Sequence, residues 1–239
     1  MSDIASALEE AKVRRKELKK SRKAERAQRE ATPATRGAAP PLLAVHHEPK
    51  RPAAVDRDHR PIRSIGDVCA AISEIQKTAP ISLNTARHEI CHGLTRLAAG
   101  QRIDHLTIDG ANGVCAAGIG DEDDAIFFSC GGIAAVEHYA GATRRPGRNE
   151  HAELGARDDL EQVSKSLMNL GEPSRDPLAS PRVQYWLAEC HEQIRDHGMT
   201  IDCVAIELCR RASLTGEEFA DAFDAARALL AEAGVRQSY

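Results

Sequence analysis

The chain has 239 residues, is only 3% aromatic, and carries a formal net charge of −4 at pH 7. That length suffices for one good-sized core or two small ones, and the low aromatic, Ala- and Leu-rich composition favours helices packed through small side chains over a β-sandwich. No apolar run approaches the length of a membrane-spanning helix, and the N-terminus lacks the apolar segment of a secretory signal.

Charge is unevenly divided. Residues 1–60 hold 15 Lys and Arg against 9 Asp and Glu, a net +6, which leaves −10 for the remainder. Residues 1–30 are rich in Ala, Leu, Glu, Lys and Arg, with only Ile4, Leu8, Val13 and Leu18 as sparse apolar positions. This predicts a basic helical arm, solvated or held by a protein partner. No aromatic residue is interleaved with its charges, so base stacking on nucleic acid is not expected. Residues 31–62 contain Pro33, Pro40, Pro41, Pro49, Pro52 and Pro61 and read as a disordered linker. The seven cysteines are scattered without a C-x-x-C pair. They suit free thiols in a reducing cytoplasm better than a disulfide framework.

A globular domain is expected over 63–239, mainly α with a small β-hairpin. Residues 64–76 space Ile65, Val68, Ile72 and Ile75 for a helix. A second helix runs over 82–100 with Gly100 as its stop. Short alternating stretches at 105–109 and 113–120 predict the hairpin. Residues 124–141 are apolar nearly all round and predict a buried helix. Residues 156–170 are amphipathic through Leu160, Val163, Leu167 and Leu170. Further helices are expected over 180–198, 200–212 and 215–234, the last opened by a capping box of Thr215 and Glu218.

Within the second helix lies "ARHEICHGL", in which His88, Glu89 and His92 make H-E-x-x-H. On a helix, His88 and His92 are one turn apart on one face, so both imidazoles reach a single metal ion. Glu89 is rotated by about 100° and stands beside the ion without binding it. Peptide hydrolysis needs this arrangement: a metal to acidify water and polarise a carbonyl, and a carboxylate to carry the proton to the leaving amine. The bland alternative is two histidines on an amphipathic helix. A catalytic zinc also needs a third protein ligand. Glu137, His138, His151, Asp158 and Asp159 are candidates, and spacing does not choose among them.

Four segments in order, from about residue 80 to 220, resemble the peptidase domain of the FtsH-type ATP-dependent zinc metalloproteases. "ARHEICHGL" is similar to that family's zinc helix, "CGGIAAVEHYAG" to its Gly-Gly-x-x-Ala-Glu helix, "GARDDLEQV" to its Gly-Ala-x-x-Asp-Leu segment, and "ASLTGEEF" to its Leu-x-Gly-Glu-Glu segment. The resemblance implies His88, His92 and Asp159 as zinc ligands and Glu89 as catalytic base, with Asp158 the neighbour most easily confused with Asp159. It implies a structural place for Glu137, which could accept the second ring N–H of a zinc-bound histidine. His138 and His151 would serve the surface or the fold.

The chain departs from the family. It has no G-x-x-x-x-G-K-[ST] nucleotide loop, and Ile90 and Cys91 stand where the family carries small residues. Cys91 reads as a buried thiol, or else as a sensor of oxidation. The expectation is a Zn²⁺-dependent endopeptidase acting on flexible or unfolded polypeptide without its own ATPase. One strand of the hairpin would present an edge to the substrate. A homo-oligomer is possible, since the family's domains form six-fold rings. A non-proteolytic binding module with the same fold is the alternative, and a nucleic-acid binder driven by the basic arm is a weaker third, disfavoured by the −10 of the globular part.

Overall fold

Residues 62–139 and 155–234 are described by the structure, a computed structural model. The basic arm, nearly all of the linker and His151 lie outside them. Six helices and one small sheet make up the described residues: α1 (Ile65–Thr78), α2 (Pro80–Ala99), β1 (Ile103–Asp109), β2 (Asn112–Ala117), α3 (Glu122–Tyr139), α4 (Arg157–Asn169), α5 (Pro181–Arg211), β3 (Ser213–Thr215) and α6 (Gly216–Glu232). The expected mainly α domain with a hairpin is present. None of these helices is long and apolar enough to cross a membrane.

Local signals set most boundaries. Ser64 caps α1 by accepting the Asp67 N–H at 3.2 Å. Pro80 opens α2 where its missing N–H costs nothing. Gly100 closes α2 with a φ of 67° and donates to the Leu97 carbonyl. Thr215 and Glu218 form the expected capping box at the start of α6.

Two expectations are corrected. The helices read over 180–198 and 200–212 are one helix of 31 residues. Gly198, Thr200 and Ile201 are all buried there, and tertiary packing outweighs the weak helix propensity of a Gly-Met-Thr stretch. The hairpin is also part of a three-stranded antiparallel sheet in the order β2-β1-β3. The short β3 joins because Leu214 pairs opposite Leu106, and both are fully buried. β2 is therefore an edge strand.

α2 is the central element. It packs against α3, α5 and both strands of the hairpin. Its residues Ala86, Arg87, Glu89, Ile90, Cys91, His92, Leu94, Thr95 and Arg96 are all buried. So many polar groups in a core need partners. Arg87 Nη2 pairs with Asp202 Oδ1 at 2.7 Å, tying α2 to α5, and its guanidinium lies 4.5 Å from the Tyr139 ring centre. Arg96 pairs with Asp124 at 2.7 Å and ties the end of α2 to the start of α3. α3 is buried along most of its length, as its apolar composition predicts. Its Gly131 lies against α2, where an added Cβ would come within 2.7 Å of the Cys91 carbonyl oxygen.

Candidate metal site

α2 places His88 and His92 one turn apart with their rings edge to face, 4.8 Å between centres. The first turn of α4 brings Asp159 against them. His88 Nε2 lies 3.2 Å from Asp159 Oδ2, His92 Nε2 lies 3.3 Å from Asp159 Oδ1, and the two Nε2 atoms are 3.1 Å apart. These three residues form a group that could hold a metal ion. Asp159 is buried and Asp158 is exposed, so the helix rotation that separates the two directs only Asp159 into the group.

The backbone leaves room for an ion. A Cβ built on Gly132 of α3 would stand 2.4 Å from Asp159 Oδ2, 2.5 Å from His92 Nε2 and 2.6 Å from His88 Cε1. Any other residue there would thrust its first carbon among the ligand atoms. A glycine inside a helix costs about 1 kcal/mol against alanine, so its presence at mid-helix has a packing reason.

Surrounding groups fix the ligands. His92 Nδ1–H donates to the Phe128 carbonyl at 2.8 Å, and its ring stacks on Phe128 with centres 4.4 Å apart. The donation leaves Nε2 as the nitrogen that faces Asp159, protonated when His92 is charged and able to bind an ion once that proton is lost. Without a metal, burial disfavours charge on His92. The Asp159 carboxylate, with Glu89 and the Phe128 carbonyl, outweighs burial and raises the pKa to about 9. Burial likewise pushes Asp159 up, but His92 and His88 overcome it and hold the carboxyl far below its usual range.

Glu89 is buried beside the group. The amide of Cys115, on the edge strand β2, faces its carboxylate and weakly favours the charged form. Gly113 of the same strand packs so close that a Cβ would meet Glu89 Oε1 at 2.3 Å. Burial raises the Glu89 pKa, partly offset by His92 and His88. Burial also raises the thiol of Cys115 to about 12 and that of Cys91 further still, so Cys91 is an inert core thiol and not a sensor of oxidation.

The group opens on a cleft of about 650 Å³, lined among others by Ile81, Asn84, Thr85, Val114, Phe128 and Tyr139. Ile81 and Val114 are exposed at its mouth.

Glu137 has a structural place, as the resemblance implied: it pairs with His191 at 2.6 Å, bridging α3 to α5. The second ring nitrogen of His92 is taken by the Phe128 carbonyl and not by Glu137. His138 is outside the metal group, edge-on to Tyr139. The sequence reading missed Phe128, Gly132, Gly113 and Cys115. Only the paired glycines in an otherwise apolar helix carried a visible signal. No family model matches the chain, and no curated protein matches it significantly.

Two outcomes are expected. Gly132→Ala should cut bound metal to below about a tenth of wild type while far-UV circular dichroism shows the helices intact, since alanine favours helix and only the ligand space is lost. The second concerns pH. In the metal-free protein, protonated His92 beside Asp159 contributes stability that is complete below pH 6.5 and lost as pH rises through about 9. A metal must displace that proton. The rise in Tm on adding Zn²⁺ should therefore grow from pH 6.5 to 9, as followed by thermal melts with and without the ion.

Proposed function

We propose that this domain is a zinc-dependent endopeptidase of FtsH type that hydrolyses peptide bonds in flexible or unfolded polypeptide. The observation that carries the reading is a buried carboxylate, Glu89, beside a His-His-Asp group on the wall of an open cleft bordered by an edge strand. A binding site alone has no use for Glu89, which is costly to bury.

The donor set supports zinc. Two imidazoles and one carboxylate leave a fourth position open, as catalytic zinc sites do. The two Nε2 atoms, 3.1 Å apart, approach the edge of about 3.3 Å of a tetrahedron with bonds near 2.0–2.1 Å, and each lies within 3.3 Å of one Asp159 oxygen. When bound, zinc supplies Lewis acidity to water and to a carbonyl. The remaining work falls to the chain. His88, His92 and Asp159 hold the ion. Glu89, packed against Gly113 of β2, takes a proton from water and delivers it to the leaving nitrogen.

β2 supports the substrate class. Its outer edge is unpaired within the described sheet and its residues line the cleft. An extended polypeptide can add to it as a fourth strand through main-chain hydrogen bonds, with little demand on sequence. Extended backbone is available only in flexible or unfolded chains.

Elemental analysis and casein cleavage test the reading in wild type, Glu89→Gln and Asp159→Ala. The expected result is one zinc per chain in wild type and Glu89→Gln, depletion in Asp159→Ala, and a loss of kcat/KM of about 10²–10⁴-fold in Glu89→Gln. Zinc without cleavage in any of them would favour a polypeptide-binding module instead. Strand addition predicts a second outcome. A peptide substrate N-methylated at alternate amides on one side of the scissile bond should lose about tenfold or more in kcat/KM, and methylation of the intervening amides should have little effect. Equal losses in the two peptides would exclude β2 as the docking edge.

A further inference from the structure

We infer that Arg96 and Phe128 are positioning residues for His92, an assignment that rests on the His88-His92-Asp159 group holding a metal ion. Arg96 follows His92 by one turn of α2 and is wholly buried. Its Nη1 donates to Asp124 Oδ2 at 2.7 Å and to Gln101 Oε1, and reaches the Gly118 carbonyl at 3.4 Å. Its Nη2 donates to the Asp124 carbonyl at 3.0 Å. The Asp124 carboxylate is itself held by Gln101 Nε2 at 3.0 Å and the Gly120 amide at 2.7 Å. Asp124 precedes Phe128 by one helical turn, so Arg96 grips the carbonyl to which an α-helix directs the Phe128 amide.

Phe128 is where this clamp meets the metal group. The Arg96 guanidinium carbon lies 5.0 Å from the Phe128 ring centre, and the His92 ring stacks on the same phenyl group at 4.4 Å. The Phe128 carbonyl takes the His92 Nδ1–H. Ring and carbonyl together fix the plane and the tautomer of the imidazole, and hence the direction of its Nε2 lone pair.

Stability alone does not account for a guanidinium in this place. A buried ion pair returns little over an apolar pair of the same volume, and Arg96 Nε has no hydrogen-bond partner among the described residues. What the charge adds over a methionine is direction. Its donors lock the first turn of α3 to the end of α2, and that lock sets where Phe128 stands relative to His92.

The test uses the full chain and Zn²⁺ affinity, measured by competition with a chromogenic chelator. Metal-free Tm and the Co²⁺ absorption spectrum are recorded beside it. Phe128→Leu and the apolar double replacement Arg96→Met with Asp124→Leu should each weaken Zn²⁺ binding by about 10–100-fold, the usual effect of removing an outer partner of a ligand. Metal-free Tm should stay near wild type, and Phe128→Tyr, which keeps the ring, should bind Zn²⁺ as wild type does. If the double replacement does not fold, the Leu and Tyr variants at Phe128 still decide between a role for the ring and none. Folded variants with Zn²⁺ affinity within about twofold of wild type would overturn the positioning role while leaving the metal group intact. A wild type that binds no Zn²⁺ would instead remove the reading on which it rests.

Discussion

The close approach of α2 and α3 is the constraint on which the rest of the structure depends. Two adjacent glycines permit it. At Gly131 a side chain would strike the Cys91 carbonyl, and at Gly132 it would strike the atoms of the metal group. With those side chains absent, α3 lies near enough for its Phe128 carbonyl to reach His92. α4 packs against α3 and so carries Asp159 to the same point. The ligand geometry is thus a consequence of helix packing and not of any flexible loop among the described residues. Ligands borne on packed helices lose little further freedom when an ion binds.

The same packing buries an unusual number of charged groups on one helix, and each is answered from a different neighbour. Arg87 is met by Asp202 on α5, Arg96 by Asp124 on α3, and Glu89 is packed against Gly113 of β2. α2 is in this way fixed in rotation by three elements at once. A helix held only by apolar contacts could slide or turn at small cost, whereas a shift here would strand a buried charge. That rigidity suits a group in which His88 and His92 project from one helix face and Glu89 from the next.

The two strands of the hairpin contribute differently. β1 carries the buried positions Ile103, Leu106 and Ile108, while β2 has none. β2 instead uses small residues to lie over Glu89, with Gly113 in contact. One strand therefore both packs against the carboxylate and borders the cleft.

The amino-acid sequence by itself determined the helices, the hairpin and half of the site. Apolar spacing, a proline at a helix start, a glycine at a helix end and the Thr215–Glu218 box are short-range signals, and the structure follows them closely. The order His88, Glu89, His92 was legible because one helical turn fixes the faces of its three side chains. Tertiary structure alone decided the remainder. Spacing left two adjacent aspartates open, and the one favoured by the resemblance, Asp159, is the one that α4 turns inward. Glu137 was given a structural place, but its partner, His191, lies 54 positions away and could not be named. The break read near Gly198 vanished under burial, and β3 exists only because Leu214 finds Leu106. Phe128 and Arg96 gave no account of themselves in sequence, since each acts through a neighbour on another helix. Periodicity fixes which face a residue takes on its own element, but which faces meet is settled by long-range packing, and that is where a metal group assembled from separate helices is made.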